Sequence, residues 1–289
     1  MKVLAKALRY LGGVLGFSAF IFILATADYS EIYSNLEIPG FLLVLSVSII
    51  GLLISSVSFA SIASQEFSSS GTFRDFFRKS LSATLSNAGM PLSGTVSKVS
   101  ELSLKGIKVR HSLRVLVNVS MVRAFASASL AIITAPLIPE IKVIFVLLLL
   151  MVFILWTKGW GTRRPPSAID VFTPARSLRY LRHASKIFLV ELALVFFSAT
   201  GLFAVWSLLY PEASFSTSVF AAAMATLVTL IPVSPGGIGT RDSAILLVLA
   251  GWGLDSALSA SIALVVRLIS LIALFAVGFS LLIAKRLNQ

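Results

Sequence analysis

Residues 232–241 read PVSPGGIGTR, inside one of the most apolar regions of the chain. Pro232 and Pro235 each lack an amide donor and stop a helix. Gly236, Gly237 and Gly239 accept turns that other residues resist, and they let a ligand approach the backbone closely. A helix ending near Ile231 and another starting near Thr240 would leave free N–H groups at membrane depth. Such a helix start attracts anions, phosphate above all. Ser234 and Thr240 add hydroxyl donors, and Arg241 adds a cation. Arg241 is badly placed for the dipole of the helix it opens, so it should point at a negative partner; Asp242 suits that start and is a candidate to hold it. The competing reading is a plain turn between packed helices with a local Arg–Asp pair.

Two more cations lie deep in apolar sequence. Arg123 and Arg267 each stand about twelve residues into a span, which at 1.5 Å per residue is roughly 18 Å. A charge near the midplane costs at least ~2.5 kcal/mol and demands a partner. Glu191, Glu101 and Asp242 could neutralise these arginines as purely structural pairs. The cations Lys98, Arg123, Arg241 and Arg267 nevertheless outnumber those acids by one. That surplus favours an anionic ligand.

The elements that must hold these residues follow from composition. Of 289 residues, 57% are hydrophobic and only 12% charged, and the mean hydropathy is +0.96. A soluble domain needs a charged shell that this chain cannot build. Cysteine is absent, which removes disulfides, thiol catalysis and cysteine-ligated metal. The net charge of +12 comes from basic residues beside apolar spans, which fits anionic lipid rather than nucleic acid. The only histidines, His111 and His183, lie in basic stretches away from any metal-ligand spacing, so no metal or cofactor is expected. No acid–base set or nucleotide loop marks an enzyme.

Hydropathy places full spans near 8–27, 40–63, 113–136, 140–157, 187–209 and 256–284. The N-terminus and segments 74–79, 98–114 and 158–186 are basic, whereas 28–37 and 211–215 carry acids and no base. Both termini are therefore expected in the cytoplasm. Residues 2–27 also resemble a signal peptide, with Ala25-Thr26-Ala27 as cleavage site, but the apolar stretch is long for that, and a retained helix is expected. Residues 173–186, TPARSLRYLRHASK, form a basic stripe that reads as an interfacial helix or as an ordinary cytoplasmic loop.

Residues 80–104 and 216–252 are apolar yet punctuated, and each leaves and returns on one side. Irregular backbone at such depth must be buried in protein or line a wet cavity, so both are read as re-entrant helical hairpins. The stretch ATLSNAGMPLSGTVSK (83–98) aligns with ATLVTLIPVSPGGIGTR (225–241). Lys98 follows Gly94 by four residues, as Arg241 follows Gly237; Arg123 then comes 29 residues after Gly94 and Arg267 comes 30 after Gly237. The expectation is an all-α polytopic membrane protein with about six full spans, two re-entrant hairpins and an inverted repeat. Repeat 1 covers about 72–137, a basic cytoplasmic loop 158–186, and repeat 2 about 213–284, in a single membrane domain.

PVSPGGIGTRD, followed by an apolar stretch, Gly253 and a long span with Arg267, resembles the lysylphosphatidylglycerol synthase transmembrane family, whose members are also described as flippase-like. The stretch PLSGTVSKVSELSLKGIKVRHSLRVLVNVSMVRAF resembles that family's first motif region. The resemblance runs along most of the chain, and the Ser-Pro-Gly-Gly element is its most specific part. Met121-Val122 stand where an acid often precedes the first arginine, and Asp242 replaces the commoner Glu. Family synthases continue into a soluble aminoacyl-transferase domain, whereas this chain ends at Gln289, so lipid aminoacylation is not expected of it alone.

What the resemblance implies is movement of an anionic phospholipid or polyprenyl-phosphate-linked glycolipid across the cell membrane. Other readings stay open: a small-anion transporter or channel, or a non-transporting membrane partner of a separate glycosyl- or aminoacyl-transferase.

Overall fold

A computed structural model describes residues 17–35, 37–67, 71–87, 98–99, 102, 109–135, 143, 147, 149, 151, 178–230 and 239–286. Among the described residues there are helices and no strand. In chain order these are α1 (Phe17–Thr26), α2 (Tyr29–Asn35), α3 (Ile38–Glu66), α4 (Phe73–Asn87), α5 (Val109–Thr134), α6 (Leu178–Leu209), α7 (Phe215–Thr229), α8 (Thr240–Gly251) and α9 (Ser256–Arg286). Apolar stretches long enough to cross a bilayer lie in α3, α5, α6 and α9. Large apolar side chains such as Leu189, Leu247, Phe275 and Phe279 face outward, as lipid permits and water would not. The protein is an integral membrane protein.

Local chemistry sets the helix starts. Pro39 sits in the first turn of α3, after an extended Glu37. Before α4, the Thr72 amide donates to Asp75 Oδ2 at 2.9 Å and the Asp75 amide donates to Thr72 Oγ1 at 3.3 Å, a reciprocal cap. Ser214 caps α7 by accepting the Thr217 amide at 3.3 Å. Asp255 does the same for α9 through the Ala257 amide, at 2.8 Å.

The frame is the antiparallel pair α3 and α6. Gly40 meets Leu208, Gly201 meets Val47 and Gly51 meets Leu194, so the contact descends α6 as it climbs α3. A Cβ at Gly40 would stand 2.5 Å from Leu208 Cδ1, so the Leu208 side chain would have to shift to admit one. One apolar core joins Val44 to Leu202, Trp206 and Leu209 of α6 and to Ile245, Ile262 and Ile269. Another joins Phe59 and Ile62 to Phe76, Leu102, Val115, Val122 and Ile187. The two cores therefore sit at opposite ends of the α3–α6 pair.

Around this frame the remaining helices interlock. The helix α7 packs on α5, α6 and α8, while α4 packs on α3 and reaches α9. Thus α7 lies against the arginine-bearing α5, and α4 touches the arginine-bearing α9. Phe215 fastens the α6–α7 seam, edge-on to Phe196 at 5.2 Å and to Phe203 at 5.5 Å.

The segment 216–252 is interrupted, as its prolines and glycines predict: α7 has 15 residues and α8 has 12. At 1.5 Å per residue they are about 22 and 18 Å long, short of the ~30 Å apolar layer. They pack against each other across the break. The basic stretch expected as an interfacial helix or a loop is helical from Leu178 and continuous with α6, which runs 32 residues to Leu209. Arginine, lysine and leucine are good helix formers, and nothing after Leu178 interrupts them. Similarly, α5 begins at Val109, within the basic segment 98–114. Thr173, Pro174 and Arg176 lie outside the described residues, as does most of the expected span 140–157.

Candidate functional site

Two groups of charges form inside the bundle. In the first, Arg123 of α5 makes a two-pronged contact with Glu191 of α6: Nε donates to Oε2 at 2.7 Å and Nη2 to Oε1 at 3.1 Å. Nη2 also donates to Ser55 Oγ of α3, at 3.2 Å. Lys98 stands over the Phe59 ring, 4.8 Å from its centre, within the electrostatic reach of both Arg123 and Glu191. The Glu191 side chain is wholly buried, whereas 24% of the Arg123 side chain stays exposed.

In the second group, Arg267 of α9 donates from Nε to Asp242 Oδ2 of α8 at 3.1 Å, with both side chains buried. The same Oδ2 accepts the Gly239 amide at 3.0 Å. Gly239 has φ of +77°, a conformation open to glycine and strained for other residues, and this turns its N–H back toward the first turn of α8. Arg241 lies close enough to feel Arg267 and Asp242. Asp242 thus holds Arg267, one of the two pairings the sequence allowed it, the other being with Arg241. Neighbours in sequence on a helix point about 100° apart, so Asp242 and Arg241 do not face each other. Arg267 meets Asp242 from the adjoining helix.

The groups have the same composition. Each has an arginine on a long helix (Arg123, Arg267), a second cation from the preceding segment (Lys98, Arg241) and one buried carboxylate (Glu191, Asp242). Each counts one more positive than negative charge among the described residues. Arg123 lies 14 residues into α5 and Arg267 11 residues into α9, so both are roughly 16–21 Å from a helix end. In each group the carboxylate is bonded to the arginine of the long helix.

Of the residues singled out in sequence, the structure brings together Lys98, Arg123 and Glu191, and separately Gly239, Thr240, Arg241, Asp242 and Arg267. Pro232, Ser234, Pro235, Gly236, Gly237 and Glu101 lie outside the described residues. Sequence reasoning missed Ser55 and Phe59. Neither differs in type from the other serines and phenylalanines of α3, and only the packing of α3 on α5 distinguishes them.

No curated protein and no solved structure matches the chain. A family model does: residues 9–278 match the lysylphosphatidylglycerol synthase TM region. That interval contains every residue of the two charge groups and the glycine-rich segment between α7 and α8. The chain belongs to the lysylphosphatidylglycerol synthase TM-region family.

Proposed function

We propose that this protein is a flippase-like lipid translocase of the cell membrane, moving an anionic phospholipid or a polyprenyl-phosphate-linked glycolipid between leaflets. The observation carrying this is the pair of matching groups, each with two cations and one buried carboxylate, set within an apolar bundle. Charges are costly there, and a surplus cation in each group is what a phosphate would find. The acyl or prenyl tails stay in lipid while the headgroup meets Arg123, Arg241 and Arg267.

In this reading α7 and α8 form a re-entrant hairpin, and α4 with the segment through Lys98 forms its counterpart from the other side. With the long spans they make an inverted repeat, both termini lying in the cytoplasm of a multi-pass protein. Swinging one repeat against the other exposes the headgroup to each leaflet in turn. The chain does no covalent chemistry; a separate glycosyl- or aminoacyl-transferase is the partner class that would supply or use the lipid.

The test is a liposome assay with purified protein and a fluorescent phosphatidylglycerol, reading its loss of protection from an external quencher. Wild-type protein moves the lipid and Arg241→Ala abolishes the movement. Equal rates in the two proteins remove Arg241 from the site. Anion flux without lipid movement points to a small-anion transporter, and co-purification with a transferase without lipid movement points to a docking partner.

A further inference from the structure

Hydroxyls in the helices fall into two kinds. Ser46, Ser129, Thr134, Thr200, Thr226 and Ser270 each donate to the carbonyl four residues earlier, at 2.7–2.9 Å. That is the usual resting place of a hydroxyl in an apolar helix. Ser56, Ser58, Ser112, Ser127, Thr217 and Ser259 do not follow it: each is fully buried, and its hydroxyl has no hydrogen-bond partner. An unbonded hydroxyl in an apolar interior is unfavourable, and where it stands near a charged group it is free to bond a ligand held there.

Two of them, Ser127 and Ser58, lie one helical turn from members of the first charge group. Ser127 follows Arg123 by one helical turn on α5, a spacing that sets side chains about 5–6 Å apart on one face. Ser58 lies three residues beyond Ser55, the acceptor of Arg123 Nη2, and so on the same face of α3. Arg123 uses Nε and Nη2 on protein atoms, which leaves Nη1 and its exposed quarter for something else.

Taking the Arg123–Lys98 group as a headgroup site, we infer that Ser127 and Ser58 are hydroxyl donors to the phosphate oxygens of the lipid bound there. The ligand class follows from the donor set. Lys98 and Arg123 offer only N–H groups, the Glu191 oxygens are taken up by Arg123, and the serines add two O–H groups. Such a set suits a phosphate mono- or diester with several acceptor oxygens. A zwitterionic choline headgroup would bring its own cation against Lys98 and Arg123.

The effect on stability and the effect on binding have opposite signs, which makes the inference testable. In the full-length protein in detergent, dioctanoyl phosphatidylglycerol is titrated and the thermal midpoint is measured without lipid. Ser127→Ala and Ser58→Ala each raise the apparent dissociation constant about 3- to 10-fold, the worth of one hydrogen bond. Without lipid their midpoints equal or exceed wild type, because no protein bond is lost. Ser129→Ala, whose hydroxyl is closed onto the Phe125 carbonyl, leaves affinity unchanged. Serine variants that bind like wild type, or lose stability while keeping affinity, overturn the inference. If Arg123→Ala weakens binding and they do not, this inference alone falls. If wild type and Arg123→Ala bind the lipid alike, or wild type binds none, the headgroup reading falls with it.

Discussion

Replacing Asp242 by Asn removes the charge that neutralises Arg267 and keeps the side chain's shape. One oxygen, Oδ2, now accepts both the Arg267 Nε–H at 3.1 Å and the Gly239 amide at 3.0 Å. Arg267 is only 6% exposed, so little solvent can replace the lost carboxylate. Breaking a buried pair by removing one partner costs about 3–5 kcal/mol, against a total stability on the order of 5–15 kcal/mol. At about 2–4 °C per kcal/mol for a chain of this size, the midpoint should fall on the order of 10 °C. Asp242→Ala adds the loss of the cap at Gly239, about 1 kcal/mol more. The decisive variant is Asp242→Asn with Arg267→Met, which removes both charges. Buried pairs replaced together by apolar groups are often neutral, so the double variant should recover much of the loss. Thermal unfolding in detergent, followed by size-exclusion chromatography after heating, reads all four proteins. If the double variant is no better than Asp242→Asn, or if Asp242→Asn melts like wild type, the two residues do not depend on each other as argued.

Three further outcomes follow from the geometry. Gly40→Ile drives new atoms into Leu208 and should destabilise by about 1–3 kcal/mol, whereas at Gly51 the nearest atom to an added Cβ is 3.9 Å away, so Gly51→Ala should be neutral or stabilising by up to about 1 kcal/mol; paired melting curves compare them. Gly239→Ala forces a Cβ into the φ +77° conformation, which should cost about 1–2 kcal/mol in the same assay. Glu191→Gln leaves Arg123 without its bidentate carboxylate and should lower the thermal midpoint without lipid, but strengthen phosphatidylglycerol binding, because the phosphate no longer competes with a carboxylate; unchanged binding would show that Arg123 does not meet the headgroup.

The charges and the break were legible in sequence because both are anomalies. An arginine amid valine and leucine, or Pro-Gly-Gly in an apolar run, conflicts with its surroundings, and that conflict is visible without a fold. Which acid met which arginine was less legible. Glu191 stood among three candidates for Arg123, but the pair joins residues 68 apart in sequence and depends on how α5 settles on α6. Asp242 was a candidate both for its neighbour Arg241 and for the buried arginines, and only the packing of α8 on α9 selects Arg267. The start of α6 was obscured because Arg179, Arg182 and Lys186 suit a cytoplasmic loop and a helix equally well. Ser55 was invisible, since a serine in α3 has no mark of its own until packing selects it.

Leu208 occupying the notch at Gly40 makes the α3–α6 seam a ratchet tooth. Small axial slippage would lift that tooth out of its notch, and the next glycine along α3, Gly51, is eleven residues on, about 16 Å away. Under the transport reading proposed above, this pair would be the part that stays fixed, and the motion would fall to the shorter α7 and α8.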